Sequence, residues 1–128
     1  MTALGRHALR FLAVGAINTL IGLMAIYGVM YFSDVSPMAA NAIGYCIGLI
    51  VSFTLNKIWT FQDSAPIANS VFKYILVAVI AYTINIGAVI VSLYVFKLNP
   101  YIAQLGGVVF YTVTMFFACR VFVFKYSA

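Results

Sequence analysis

Charge is what this chain has least of. Of its 128 residues two are acidic and seven are Lys or Arg, so 7% are charged, against roughly 25% in an ordinary soluble domain. With 66% hydrophobic residues and a mean hydropathy of +1.12, so short a chain cannot fold its apolar surface away from water. Lipid is the expected solvent. At about 20 residues per spanning helix, the length holds roughly four spans and leaves no room for a separate soluble domain.

The other scarcities exclude function classes. No Asp, Glu, Lys, Arg or His lies well inside an apolar run: Asp34 and Asp63 sit at turns, and His7 precedes the first run. Ionisable groups inside a membrane are the usual mark of a proton relay, so coupling through a buried acid is not expected. A catalytic site lacks its parts as well, with no carboxylate pair and no base beside a nucleophile. The two cysteines, Cys46 and Cys119, fall in spans and have neither disulfide nor metal spacing. The expectation is a protein that is not an enzyme and uses no metal and no cofactor. A net charge of +5 without a dense basic run also gives no nucleic-acid partner.

What the chain does have is four apolar runs. The first extends from Phe11 to about Phe32. Its Met1 to Ala25 portion has the cations-then-apolar order of a signal peptide, but the run is too long and lacks a convincing cleavage site, which favours a membrane helix. Ser36 followed by Pro37 reads as an N-cap with proline at the first helical position, so the second span starts near Pro37 and ends near Lys57. A mixed, polar connection follows, with a short interfacial helix as one option. The third span runs from about Lys73 to Phe96, and Asn99 with Pro100 repeats the cap-and-proline start of the fourth, which ends near Arg120. Arg6, Arg10, Lys57, Lys73, Arg120 and Lys125 fall at one set of run ends and only Lys97 at the other. By the positive-inside rule the first set, and both termini with it, is cytoplasmic.

The chain is built twice. The segment Phe53 to Phe61, with Asn56, Lys57, Trp59 and Phe61, closes one apolar run as Phe116 to Phe124, with Arg120, closes another; from Lys57 to Arg120 is 63 residues. The same shift takes Arg10 to Lys73, Phe11 to Tyr74, Pro37 to Pro100, Asn41 to Gln104 and Gly44 to Gly107 without a gap. The expected fold is an all-α integral membrane protein: four transmembrane helices as two parallel-repeat hairpins in one domain over 1–128. Repeat 1 is about 10–61, the cytoplasmic connection 62–72 and repeat 2 about 73–124. Each half crosses twice, so the halves enter from the same side.

These residues resemble the GtrA-like family of small four-span membrane proteins. The likeness rests on Arg10, Phe11 and Gly15, on Asn41, and on Asn56, Lys57, Trp59, Thr60 and Phe61, with Lys73, Tyr74, Arg120, Phe122 and Phe124 as a weaker second copy. It covers nearly the whole chain, and the Asn-Lys-x-Trp-Thr-Phe segment is its most specific portion. The resemblance implies a cytoplasmic-membrane protein that translocates a polyprenyl-phosphate-linked sugar for cell-surface polysaccharide synthesis. The alternative it implies is a non-transporting partner that anchors a polyprenyl-phosphate glycosyltransferase. Membrane lipid, such a glycosyltransferase and a second copy in a homodimer are the expected partners.

Two readings of the polar residues stay open. Arg10, Lys57, Lys73 and Arg120 either set topology and snorkel to the headgroups or receive the substrate phosphate. Asn18, Asn41, Asn56, Asn85 and Gln104 either bond helix to helix across small-residue seams or line a groove for the sugar. Trp59 is read as an interface anchor.

Overall fold

The computed structural model describes residues 1–125, all but the side chains at 37, 38 and 101. Four long helices carry the chain: α1 (Ala3–Phe32), α2 (Pro37–Leu55), α3 (Ile67–Tyr94) and α4 (Pro100–Ala118). Two of them, α2 and α4, run on into single π-helical turns, Asn56–Thr60 and Cys119–Val123. No strand occurs among the described residues. All four helices are long and apolar enough to cross a membrane.

The chain divides into two units, Met1–Ser64 and a second that begins at Ala65. In each, one helix packs on the next, α1 on α2 and α3 on α4. At α2 the cap is the one the sequence signals: Ser36 Oγ accepts from the Ala39 N–H at 3.2 Å and Pro37 opens the helix.

Two boundaries differ from the sequence reading. Helix α1 begins eight residues before Phe11, where Thr2 Oγ1 accepts from the Gly5 N–H. Its 30 residues make about 45 Å against about 30 Å of hydrocarbon, so its first turns, with Arg6, His7 and Arg10, extend toward the headgroups. Helix α3 begins at Ile67, directly after Pro66, rather than at Lys73. The residues expected to complete the connection are its first turns. Polar Asn69 and Ser70 interrupt the apolar pattern there but do not break a helix.

The buried positions recur at the 63-residue spacing. His7 and Ser70, Phe11 and Tyr74, Val14 and Val77, Ala40 and Ala103, Phe53 and Phe116, and Phe61 and Phe124 are all buried. Each hairpin therefore closes on the same small set of side chains. Most of the remaining apolar surface faces outward, as it must when lipid is the solvent.

Glycines set how closely the helices approach. A methyl placed on Gly44 of α2 would run into Ile26 and come within 3.0 Å of the Gly22 carbonyl oxygen on α1. Their counterparts meet in the second unit, where a methyl on Gly107 would collide with Asn85 and Val89. One turn along the first hairpin, Asn18 Oδ1 lies 3.0 Å from where a methyl on Gly48 would sit. Asn18 and Asn85 thus fill the same role, offset by a helical turn: each buried amide oxygen has no hydrogen-bond partner and packs where a glycine on the facing helix leaves room.

These close approaches make a direct prediction. Gly107→Ala and Gly44→Ala are expected to lower stability by about 1–3 kcal/mol through overpacking. Gly15 and Gly28 have nothing within 4 Å, so Gly15→Ala and Gly28→Ala are expected to be neutral or stabilising, alanine being the better helix former by about 1 kcal/mol. Thermal unfolding in detergent, followed by circular dichroism, checks this. Equal melting of all four variants would contradict the helix contacts described.

Candidate functional site

The ends of α2 and α4 concentrate the polar chemistry of each hairpin. At the end of α2 the backbone widens: the Phe61 N–H donates to the Asn56 carbonyl, five residues back, at 2.9 Å. A π-turn accommodates an extra residue per turn and so re-aims the side chains that follow. Here it turns Asn56, Lys57 and Thr60 inward, leaving them 1%, 6% and 0% exposed. The Asn56 amide donates to Ser52 Oγ at 3.3 Å. Asn56 Oδ1 and Thr60 Oγ1 are buried without a hydrogen-bond partner.

A lysine taken out of water needs an anion. Asp63 supplies it: Lys57 Nζ lies 2.7 Å from Asp63 Oδ2, and both side chains are buried. The backbone ties the same two residues together. Gln62 adopts a left-handed conformation, φ 51°, where glycine is the usual helix-ending residue, and the Asp63 N–H then donates to the Lys57 carbonyl at 2.8 Å. Asp63 grips Lys57 at two points.

Arg10 closes the other side of this end. Its Nη1 donates to the Trp59 carbonyl oxygen at 2.9 Å, and its guanidinium carbon lies 5.6 Å from the centroid of the Trp59 ring. The carbonyl is available because the last carbonyls of a helix lack intrahelical donors. Trp59 remains 41% exposed, as a side chain at the headgroup layer does. Beneath it Phe61 is buried, with the His7 ring edge-on at 5.5 Å and the Phe11 ring at 6.3 Å.

The second hairpin repeats this construction with different chemistry. The Phe124 N–H donates to the Cys119 carbonyl at 2.9 Å across its π-turn. Lys73 Nζ stands 5.2 Å from the Phe122 ring, in the relation Arg10 has to Trp59, and the Tyr74 and Phe124 rings meet at 6.0 Å. Buried Cys119 takes the place of Asn56, and half-buried Arg120 that of Lys57. The charge balance differs sharply. Both acids of the chain lie in the first unit; from residue 65 onward there is no Asp or Glu, but there are Lys73, Lys97, Arg120 and Lys125. The sequence counterpart of Asp63 is Tyr126, which carries no charge.

With this geometry in view, comparison with known families is decisive: GtrA/DPMS, transmembrane domain, matches residues 10–124. The chain belongs to this family. The match opens on Arg10, which holds Trp59, and closes on Phe124, which packs against Tyr74. No curated protein and no solved structure matches the chain. With four helices long and apolar enough to span, this GtrA/DPMS chain is a multi-pass membrane protein.

The residues singled out from sequence fall in different places on the GtrA/DPMS hairpins. Arg10, Asn56, Lys57 and Trp59 come together at one end of the first unit, and Lys73 and Arg120 lie at the corresponding end of the second. Asn18 and Asn85 lie further along, within the helix seams. Asn41 and Gln104 are exposed near the starts of α2 and α4, about 22 Å along the axis from the π-turns at 1.5 Å per residue. The amides are spread along each hairpin rather than gathered. Sequence reasoning missed Asp63, which looks like a connection residue, and with it the fate of Lys57. The available signal was that one of only two acids follows a membrane-edge lysine by six residues.

The pair is testable by removing one partner and then replacing both. Asp63→Asn leaves the Lys57 ammonium buried without its anion and is expected to cost about 3–5 kcal/mol, whereas Lys57→Met with Asp63→Leu is expected to restore most of the loss. Chemical denaturation in detergent reads both. A single variant as stable as the unaltered protein would contradict the buried pair.

Proposed function

We propose that this protein moves a polyprenyl-phosphate-linked sugar across the cytoplasmic membrane and carries out no chemical step on it. The family to which the chain belongs is tied to polyprenyl-phosphate sugars. One observation carries the reading to this chain: Arg10 and Lys73, at equivalent places in the two hairpins, rest on aromatic rings rather than on carboxylates. A cation held by a ring face keeps N–H donors for an outside acceptor. At headgroup depth the phosphodiester of a lipid-linked sugar is such an acceptor, and Arg or Lys recognises it by charge-assisted hydrogen bonds. The polyprenyl tail stays in the bilayer. Within each hairpin an exposed amide, Asn41 in the first and Gln104 in the second, offers the sugar hydroxyls hydrogen bonds without charge.

Liposomes containing only the purified protein test this. A radiolabelled polyprenyl-phosphate sugar is expected to cross faster than in empty liposomes. The combination of Arg10→Gln with Lys73→Gln is expected to lower the rate about tenfold or more, in keeping with the loss of hydrogen bonds to a charged group. Movement no faster than in empty liposomes, with protein verified as folded, would overturn transport. It would favour instead a non-transporting partner of a polyprenyl-phosphate glycosyltransferase, to be sought by copurification.

A further inference from the structure

The two hairpins differ most at one equivalent position. In the first, Lys57 at the π-turn is neutralised by Asp63, 2.7 Å away and itself buried. In the second, Arg120 occupies the matching place in a unit whose sequence contains no acidic side chain at all. The π-turn, the ring under the neighbouring cation and the aromatic pair beneath it are otherwise repeated. The first hairpin shows what this place does with an anion: it holds one against the cation at the mouth of the helix pair. We propose that Arg120 is the seat at which the second hairpin takes a phosphate oxyanion from outside the chain, as Lys57 takes the Asp63 carboxylate in the first.

Three features suit phosphate. Arg120 is half-buried, so the residue stands at the edge of the packed helix pair rather than fully in solvent. Its planar fork matches two phosphate oxygens at once. The same end carries Lys73 and Lys125, which add positive potential without an internal acid to compete. Lys57, by contrast, is occupied. At this one position the seat belongs to the second hairpin, because in the first Lys57 is already taken by Asp63. This inference rests on the proposed function for the nature of the lipid, but not for the location of the phosphate.

Binding to the full chain in nanodiscs of zwitterionic lipid separates the two. The probes are a long-chain polyprenyl phosphate, the uncharged polyprenol of the same length and phosphatidylglycerol. The phosphorylated lipid is expected to bind and the polyprenol not. Arg120→Gln is expected to weaken binding about tenfold or more, while the uncharged pair Lys57→Met with Asp63→Leu, which avoids stranding a buried charge, stays within about twofold. Preference for polyprenyl phosphate over phosphatidylglycerol supports both the seat and the proposed function. Equal, Arg120-dependent binding of the two phospholipids supports the seat and removes the polyprenyl reading. The seat is overturned by Arg120→Gln binding as tightly as the unaltered protein, by an equal loss in the Lys57 and Asp63 variant, or by no phosphorylated lipid binding at all.

Discussion

An ammonium group withdrawn from water at the end of a membrane helix must have an anion beside it, and much of this chain's first hairpin follows from that requirement. Lys57 and Asp63 satisfy it at 2.7 Å. For the carboxylate to reach the lysine, the chain must reverse within a few residues. The widened turn at Asn56–Thr60 and the left-handed Gln62 make that reversal. The turn also brings Phe61 down onto Phe11 and His7 and exposes the Trp59 carbonyl to Arg10. Ion pair, π-turn, aromatic cluster and arginine contact are one construction. In a medium with no water to hydrate stray polar groups, none of these groups can be left exposed to hydrocarbon without cost.

The second hairpin keeps the geometry and omits the acid. Its ring pair, its cation over an aromatic face and its π-turn match those of the first, so the backbone construction does not depend on the ion pair alone. What the omission changes is the electrostatics. One copy carries its own counter-charge, while the other carries four basic residues and no acid. Two copies of one hairpin, identical in function, would not need to differ in this way. The proposed division of labour, one copy structural at this end and the other receptive to an anion, is our reading of that difference.

Much of the fold was legible in the sequence because a membrane helix declares itself by length and hydropathy, and Ser36 with Pro37 marks a helix start by chemistry alone. The 63-residue spacing pointed to the paired positions that turn out to be buried alike. Three things were not legible. Polar first turns, as at Arg6 to Arg10 and at Asn69 and Ser70, look like connection when only apolar runs are counted. A π-turn has no composition of its own; it follows from how Phe61 must pack. The Lys57–Asp63 pair was hidden because charge at a span end is ordinarily solvated, and only the tight reversal at Gln62 draws both side chains out of water. In sequence the candidate site is a set of four similar cations, whereas the structure gives three of them different neighbours: an indole and its carbonyl for Arg10, a carboxylate for Lys57 and a phenyl ring for Lys73.

The central claim is that an external phosphate is held by Arg120 while Lys57 stays with Asp63. Side-chain nitrogen NMR on arginine- and lysine-labelled protein in zwitterionic nanodiscs reads both at once. With only three arginines and four lysines in the chain, each resonance can be assigned by single substitution. On titration with polyprenyl phosphate, the account predicts that the Arg120 Nε signal shifts while the Lys57 Nζ signal stays in place. Movement of Lys57 with Arg120 unmoved would contradict it.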